Sequence, residues 1–209
     1  MPPPETLAAF FTAALLLALA PGPDNLFVLT QSTLHGKKAG FAITFGLCTG
    51  LIAHTLAVAF GVAAIIRASA VAFTALKILG AAYLLHLAWL MFRARPMKPA
   101  PDSDASPPGH RLYLRGALMN LSNPKVALFF LAFLPQFADP ARGPMALQLV
   151  LLGGLFIVAT VLVFGGIATL ADSLGQAFRN SARAQTTVNQ LAAALFVGLA
   201  ARLFASAHN

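Results

Sequence analysis

Two short stretches decide how this chain is read: Pro21-Gly22-Pro23-Asp24-Asn25 and Asn120-Leu121-Ser122-Asn123-Pro124-Lys125, each lying inside a long apolar run. Proline has no backbone N–H and its ring clashes with the preceding turn, so both stretches must interrupt a helix and free backbone carbonyls. In hydrocarbon those carbonyls need partners, and such breaks persist only where protein or a water-filled cavity covers them. Aligning Pro23 with Pro124 pairs Gly22 with Asn123 and Asp24 with Lys125. Each break therefore sits beside an ionisable side chain, and the two have opposite sign.

The surroundings are apolar enough to be membrane. Of 209 residues, 58% are hydrophobic and only 10% are Asp, Glu, Lys or Arg, whereas a soluble domain carries about 25% charged residues. Uncharged runs bounded by charges or turn residues give six helical spans, at about 6–34, 39–66, 70–92, 116–137, 144–171 and 184–205, each long enough for a hydrocarbon core of about 30 Å. The expectation is an all-α polytopic membrane protein. Ala18-Leu19-Ala20 resembles a signal-peptide cleavage site, but Met1 to Glu5 carries no Lys or Arg, so the first run is read as a retained span. The net charge of +8 falls between the runs rather than along one face, which argues against nucleic acid. One cysteine, Cys48, excludes an intramolecular disulfide and a cysteine metal site.

A proline-rich hydrophilic stretch, residues 96–110, divides the chain into residues 1–95 and 111–209, three spans each. An odd number of spans per half means the second half enters the membrane inverted relative to the first, which is the arithmetic of a 3+3 inverted repeat with broken first and fourth helices. Basic residues are retained on the cytoplasmic side. Odd-numbered loops hold Lys37, Lys38, Arg93, Arg95, Lys98, Arg111, Arg115, Arg179 and Arg183, against Arg67, Arg142 and Arg202 in the even loops and C-terminal end. That distribution places both termini outside and the linker inside.

Each polar candidate has a plain alternative. A single proline kink can serve packing alone, but two at matching positions point to a site. A mid-membrane aspartate costs about 2.5–3.5 kcal/mol on insertion scales, so Asp24 is either functional or close to an interface. Lys125 and Lys77 are read as functional or as snorkelling to the headgroups. His54, in the middle of span two, is either a hydrogen-bonded helix contact or a proton relay. His86 and Asp172 read as boundary residues. Gly46, Gly50 and Gly61 in span two, Gly80 in span three, and Gly153, Gly154, Gly165 and Gly166 in span five mark faces for close helix packing.

Taken together, Pro21-Gly22-Pro23-Asp24-Asn25, Gly36-Lys37-Lys38-Ala39-Gly40, Leu76-Lys77 with Gly80-Ala81-Ala82-Tyr83-Leu84, Asn123-Pro124-Lys125 with Phe129-Phe130, and Phe133-Leu134-Pro135-Gln136-Phe137 resemble the LysE/RhtB family of amino-acid exporters in order and spacing. The likeness runs through almost the whole chain; the linker and last span match only in character. The resemblance implies a bacterial inner-membrane protein with six spans that exports amino acids, driven by the proton gradient. The family's motif positions fall on Pro21, Gly22, Pro23, Asp24, Asn25, Lys77, Asn123, Pro124 and Lys125.

The leading expectation is thus a secondary exporter working without a cofactor or metal, whose partners are an amino-acid substrate, protons and the lipid bilayer, and which is compatible with a homo-oligomer. Asp24 would exchange the proton, and Asp24, Asn25, Asn123, Lys125, Lys77 and His54 are the substrate and coupling candidates. Asp24 and Lys125 are expected to approach near the midplane, directly or through substrate. Apart from Asp24 no mid-span acid is present to receive a cationic side chain, which favours neutral cargo such as leucine, threonine or homoserine. An intramembrane enzyme is disfavoured because no Gly-x-Ser-x-Gly or His-Glu-x-x-His motif occurs, and a metal-ion exporter because carboxylates and thiols are scarce. The charge distribution predicts that an alkaline phosphatase fused at the C-terminus, active only outside the cytoplasm, is active; a C-terminal reporter that works only in the cytoplasm would reverse the orientation.

Overall fold

The computed structural model describes residues 1–20, 22–68, 70–93 and 107–205. Pro21, Arg95, Lys98 and linker residues 96–106 lie outside the described residues, as do the side chains of Arg67, Asp172, Arg179 and Arg202. The chain is all-α. In order, the long helices are α1 (Pro4–Leu19), α2 (Pro23–His35), α3 (Lys37–Ala68), α4 (Ala70–Arg93) and α5 (Gly109–Leu121). A one-turn α6 (Pro124–Leu128) follows and passes through a π turn (Phe129–Phe133) into 3₁₀ turns (Leu134–Phe137, Pro140–Arg142), before α7 (Met145–Asn180) and α8 (Ala182–Ala205).

The interruptions fall where the prolines dictate. Gly22 is extended (φ −165°, ψ 176°) and precedes Pro23 at the first position of α2, where a missing N–H costs nothing. Asn123 plays the same part for α6, its Oδ1 accepting from the Lys125 backbone N–H at 3.0 Å. Pro135 cannot donate to the turn before it, which widens from α into π over Phe129–Phe133 before tightening to 3₁₀. At the far end of α2, Gly36 takes φ +78° and lets the chain reverse directly into α3. Gly109 and His110, expected in the linker, instead form the first turn of α5: Pro108 presets the backbone and its carbonyl accepts from the Arg111 N–H at 2.9 Å.

Lys37–Gly61 of α3 and Met145–Ala171 of α7 are each long and apolar enough to cross a membrane alone. Pro4–Leu19 with Pro23–His35, and Gly109–Leu121 with Pro124–Phe137, meet the same criterion as pairs bent by more than 40°, the second by 49°. The all-helical, polytopic expectation holds, and the runs expected at 6–34 and 116–137 are each two segments rather than one.

Packing exchanges partners between the halves. α3 lies along α5 while α7 lies along α1 and α2, α3 and α7 pack on each other, and α4 packs on α8. Phe45, Ile52, Leu56 and Phe60 of α3, spaced seven, four and four residues apart, are exposed, which in a protein with this few charges is a lipid-facing stripe. Lipid tails are as apolar as the core, so association rests on close fit rather than on the hydrophobic effect. The fit is closest at glycines: a Cβ on Gly46 would strike the Tyr113 carbonyl, on Gly116 the Ile43 carbonyl, and on Gly50 the Asn120 side chain, whereas Gly61 and Gly154 have nothing within 4 Å. The Gly116→Val substitution is therefore expected to lower stability by about 1–3 kcal/mol or more by forcing α3 and α5 apart, while Gly154→Val leaves it unchanged. Thermal unfolding of the two variants in detergent checks the contrast.

Candidate functional site

The two breaks meet. Asp24 stands in the first turn of α2, buried, and its Oδ2 accepts from Asn123 Nδ2 across the halves at 2.9 Å. The ammonium of Lys125 reaches back across the same junction to the carbonyl of Ala20 at 3.4 Å, one of the groups that the first break leaves without a helical donor. Asn25 Nδ2 donates to the Ala18 carbonyl at 2.7 Å. A Cβ on Gly22 would lie 3.2 Å from Lys125 Nζ, so the glycine leaves room for the ammonium there. His54, half-buried on α3, donates from Nε2 to the Asn120 carbonyl at 3.2 Å, and its ring lies beside Phe130.

Around this junction is a narrow, partly open cavity with about 20 Å³ of space for a water-sized molecule. Leu17, Ala18, Asp24, Leu47 and Leu51 line it from the first half, and Asn120, Lys125, Val126, Phe156, Thr160 and Phe164 from the second. Among the described residues, the only ionisable side chains on its wall are Asp24 and Lys125. Their contacts are with Asn123 and Ala20 rather than with each other. Asp24 Oδ1 and Asn120 Oδ1, both on this wall, are buried with no hydrogen-bond partner. A buried acceptor left so costs about 1–3 kcal/mol, which makes the wall receptive to a donor. The cavity wall thus offers acceptors, one cation and an apolar remainder.

Of the residues singled out from the sequence, Asp24 and Lys125 line the cavity, while Gly22, Pro23, Asn25, Asn123 and Pro124 form the junction beside it and His54 braces the helix end below it. Lys77, half-buried on α4, does not line it. Thr160 was not singled out, and Asn120 was read only as part of the second break; both line it. Asn120 opens that break in the sequence, whereas Thr160 is one unmarked hydroxyl in a long apolar run.

This arrangement of broken helices around a cavity with both charges defines a small-molecule carrier of the membrane. The chain belongs to the LysE type translocator family, whose profile matches residues 15–207, and it is therefore a translocator and not an enzyme. It is 32% identical over 200 residues, 96% of each chain, to the "Homoserine/homoserine lactone efflux protein" of Salmonella typhi, and equally to that of Salmonella typhimurium. A Vibrio cholerae "Uncharacterized membrane protein" is 32% identical over 190 residues, 91% of this chain and 92% of its own. No solved structure matches.

Because the two charges share one wall, removing one leaves the other without compensation. Lys125→Met is expected to be less stable than Asp24→Asn combined with Lys125→Met by about 1–3 kcal/mol, the cost of an uncompensated buried polar group. Thermal unfolding and membrane expression of the two variants compare them directly; equal values would show that the charges do not depend on each other.

Proposed function

We propose that this translocator exports neutral amino acids from the cytoplasm in exchange for protons, and that the substrate lies between the two helix breaks. The observation that carries this reading is the cavity wall: an unpartnered carboxylate oxygen and a lysine ammonium, one from each half, with leucine and phenylalanine side chains on the same wall. The substrate ammonium would take Asp24 Oδ1 and Asn120 Oδ1, its carboxylate Lys125, and its side chain the apolar part of the wall. Asn123 holds Asp24 by Oδ2, so Oδ1 is the atom at which a proton and the substrate ammonium compete. Competition for one atom couples their opposite movements without further machinery. Homoserine, in the name of the Salmonella relatives, is a small amino acid with a neutral side chain.

In the same reading the chain has six spans in the bacterial inner membrane, α4 and α8 completing the four met by length and hydropathy. Residues 1–95 and 111–209 form an inverted repeat about the stretch 96–110, whose last two residues, Gly109 and His110, open α5. The exchanged packing of the long and broken helices supports the repeat. The Met1 amine donates to the Arg142 carbonyl, which supports the N-terminus and the loop at Asp139–Gly143 sharing one end, the outer one by the charge count. His54 acts through the Asn120 carbonyl to hold the second break, and Lys77 contributes from outside the cavity.

Cells loaded with dipeptides of each amino acid are expected to accumulate less neutral amino acid inside when the protein is expressed. Asp24→Asn, which keeps hydrogen bonding but cannot release a proton, is expected to remove at least nine-tenths of that export at unchanged expression. Undiminished gradient-driven export by the variant would place the proton site elsewhere.

A further inference from the structure

The buried polar atoms without partners do not end at the cavity. Gln31 Oε1, Ser32 Oγ and His35 Nε2 are also buried and unpartnered, and Ser32 is only 1% exposed. At about 100° per residue, Asp24, Asn25, Val28, Gln31, Ser32 and His35 all fall within one third of the circumference of α2. The stripe runs from the cavity to the Gly36 turn, about 16 Å along the axis at 1.5 Å per residue.

Three such atoms within five residues of a membrane helix would together cost several kcal/mol if dry, at about 1–3 kcal/mol each. Buried polar groups of this kind are satisfied by water or by a transient polar ligand. The trio begins seven residues, about two turns, beyond Asp24. Val28 lies on the same face in that interval, fully buried in one apolar cluster with Ile43 and Leu47 of α3 and Phe164 and Ala168 of α7. A Cβ on Gly40 would strike Ser32 Oγ and lie 2.7 Å from the Ala168 side chain, so α2, α3 and α7 are closed tightly over the stripe in this state.

The matching positions of the second half are unlike these. Shifting by the 101 residues that align Pro23 with Pro124 turns Val28 into Phe129, Gln31 into Ala132, Ser32 into Phe133 and His35 into Gln136. Phe129, Phe130, Phe133 and Phe137 are buried and join Phe10 and Phe156 in one aromatic cluster, with neighbouring centroids 4.8–6.5 Å apart. One broken helix continues as a polar stripe behind a single apolar layer, the other as a thick aromatic seal.

We propose that the α2 face bearing Gln31, Ser32 and His35 is the water-filled path by which polar substrate reaches Asp24 from the Lys37–Lys38 end, with Val28 as the layer that closes it. This rests on the export reading for its cargo and on the charge count for naming that end cytoplasmic. Water enters when α2 parts from α3 and α7, and the three side chains then hydrogen-bond it or the polar ends of a zwitterion in transit.

The test uses the full chain with Cys48→Ala, carrying Ser32→Cys, His35→Cys or Phe133→Cys, in membrane vesicles of both orientations. The probe is a membrane-impermeant thiol reagent bearing a quaternary ammonium. Ser32→Cys and His35→Cys are expected to react at least tenfold faster from the Lys37–Lys38 end than Phe133→Cys from either end, and more slowly when the exported amino acid is present. Ser32→Leu, expressed normally, is expected to lose at least nine-tenths of transport. Ser32→Cys reacting as slowly as Phe133→Cys in vesicles that transport, or full transport by Ser32→Leu, would overturn the path while leaving the export reading in place. Fast labelling in protein that exports no amino acid would support the path and remove the cargo.

Discussion

Hydrocarbon offers a backbone carbonyl nothing to bond to, and the structure is organised around that constraint. Two helices are broken by proline in the apolar part of the chain, and each supplies what the other lacks. Lys125 of the second break approaches the Ala20 carbonyl of the first, and Asn123 donates to Asp24 while accepting from the backbone of its own helix. Asn25 and His54 serve the Ala18 and Asn120 carbonyls. Neither broken helix could lie in a membrane alone, so the meeting of the halves is a condition of folding before it is a feature of function.

Bringing two irregular segments into register requires helices that can approach closely on either side. Gly46, Gly50 and Gly116 allow this between α3 and α5, and Gly153, whose Cβ would strike Thr55, allows it between α3 and α7. With lipid on the outside, van der Waals fit carries the association. The aromatic cluster of Phe10, Phe129, Phe133, Phe137 and Phe156 supplies that fit on one side of the junction, in tilted and edge-on ring pairs of the kind favoured by the ring quadrupole.

The same arrangement leaves a cavity with an unusual wall. A carboxylate and an ammonium share it without touching, each held by a neutral partner, so both keep bonding capacity that the protein does not use. A direct ion pair would have satisfied the two charges and left nothing for a ligand. Leaving them unpaired gives up some stability and keeps bonding capacity on the wall.

Much of this was written in the chain. The scarcity of charge, the apolar runs and the two proline breaks determined an all-helical membrane protein, because membrane insertion depends on local composition and helix breaks on proline chemistry, both readable residue by residue. Asp24 and Lys125 stood out in the sequence as the ionisable residues beside the two breaks, and both line the cavity. Sequence could not decide that Asn123 rather than Lys125 would hold Asp24, that Asn120 and Thr160 would join the wall and Lys77 would not, or that Gly109 and His110 would be helical. Those outcomes depend on which faces of α3, α5 and α7 meet, and a uniformly apolar helix has no polar face to announce its orientation. Side-chain fit between helices, at glycines whose neighbours are a hundred residues away, made that choice, and only the tertiary structure records it.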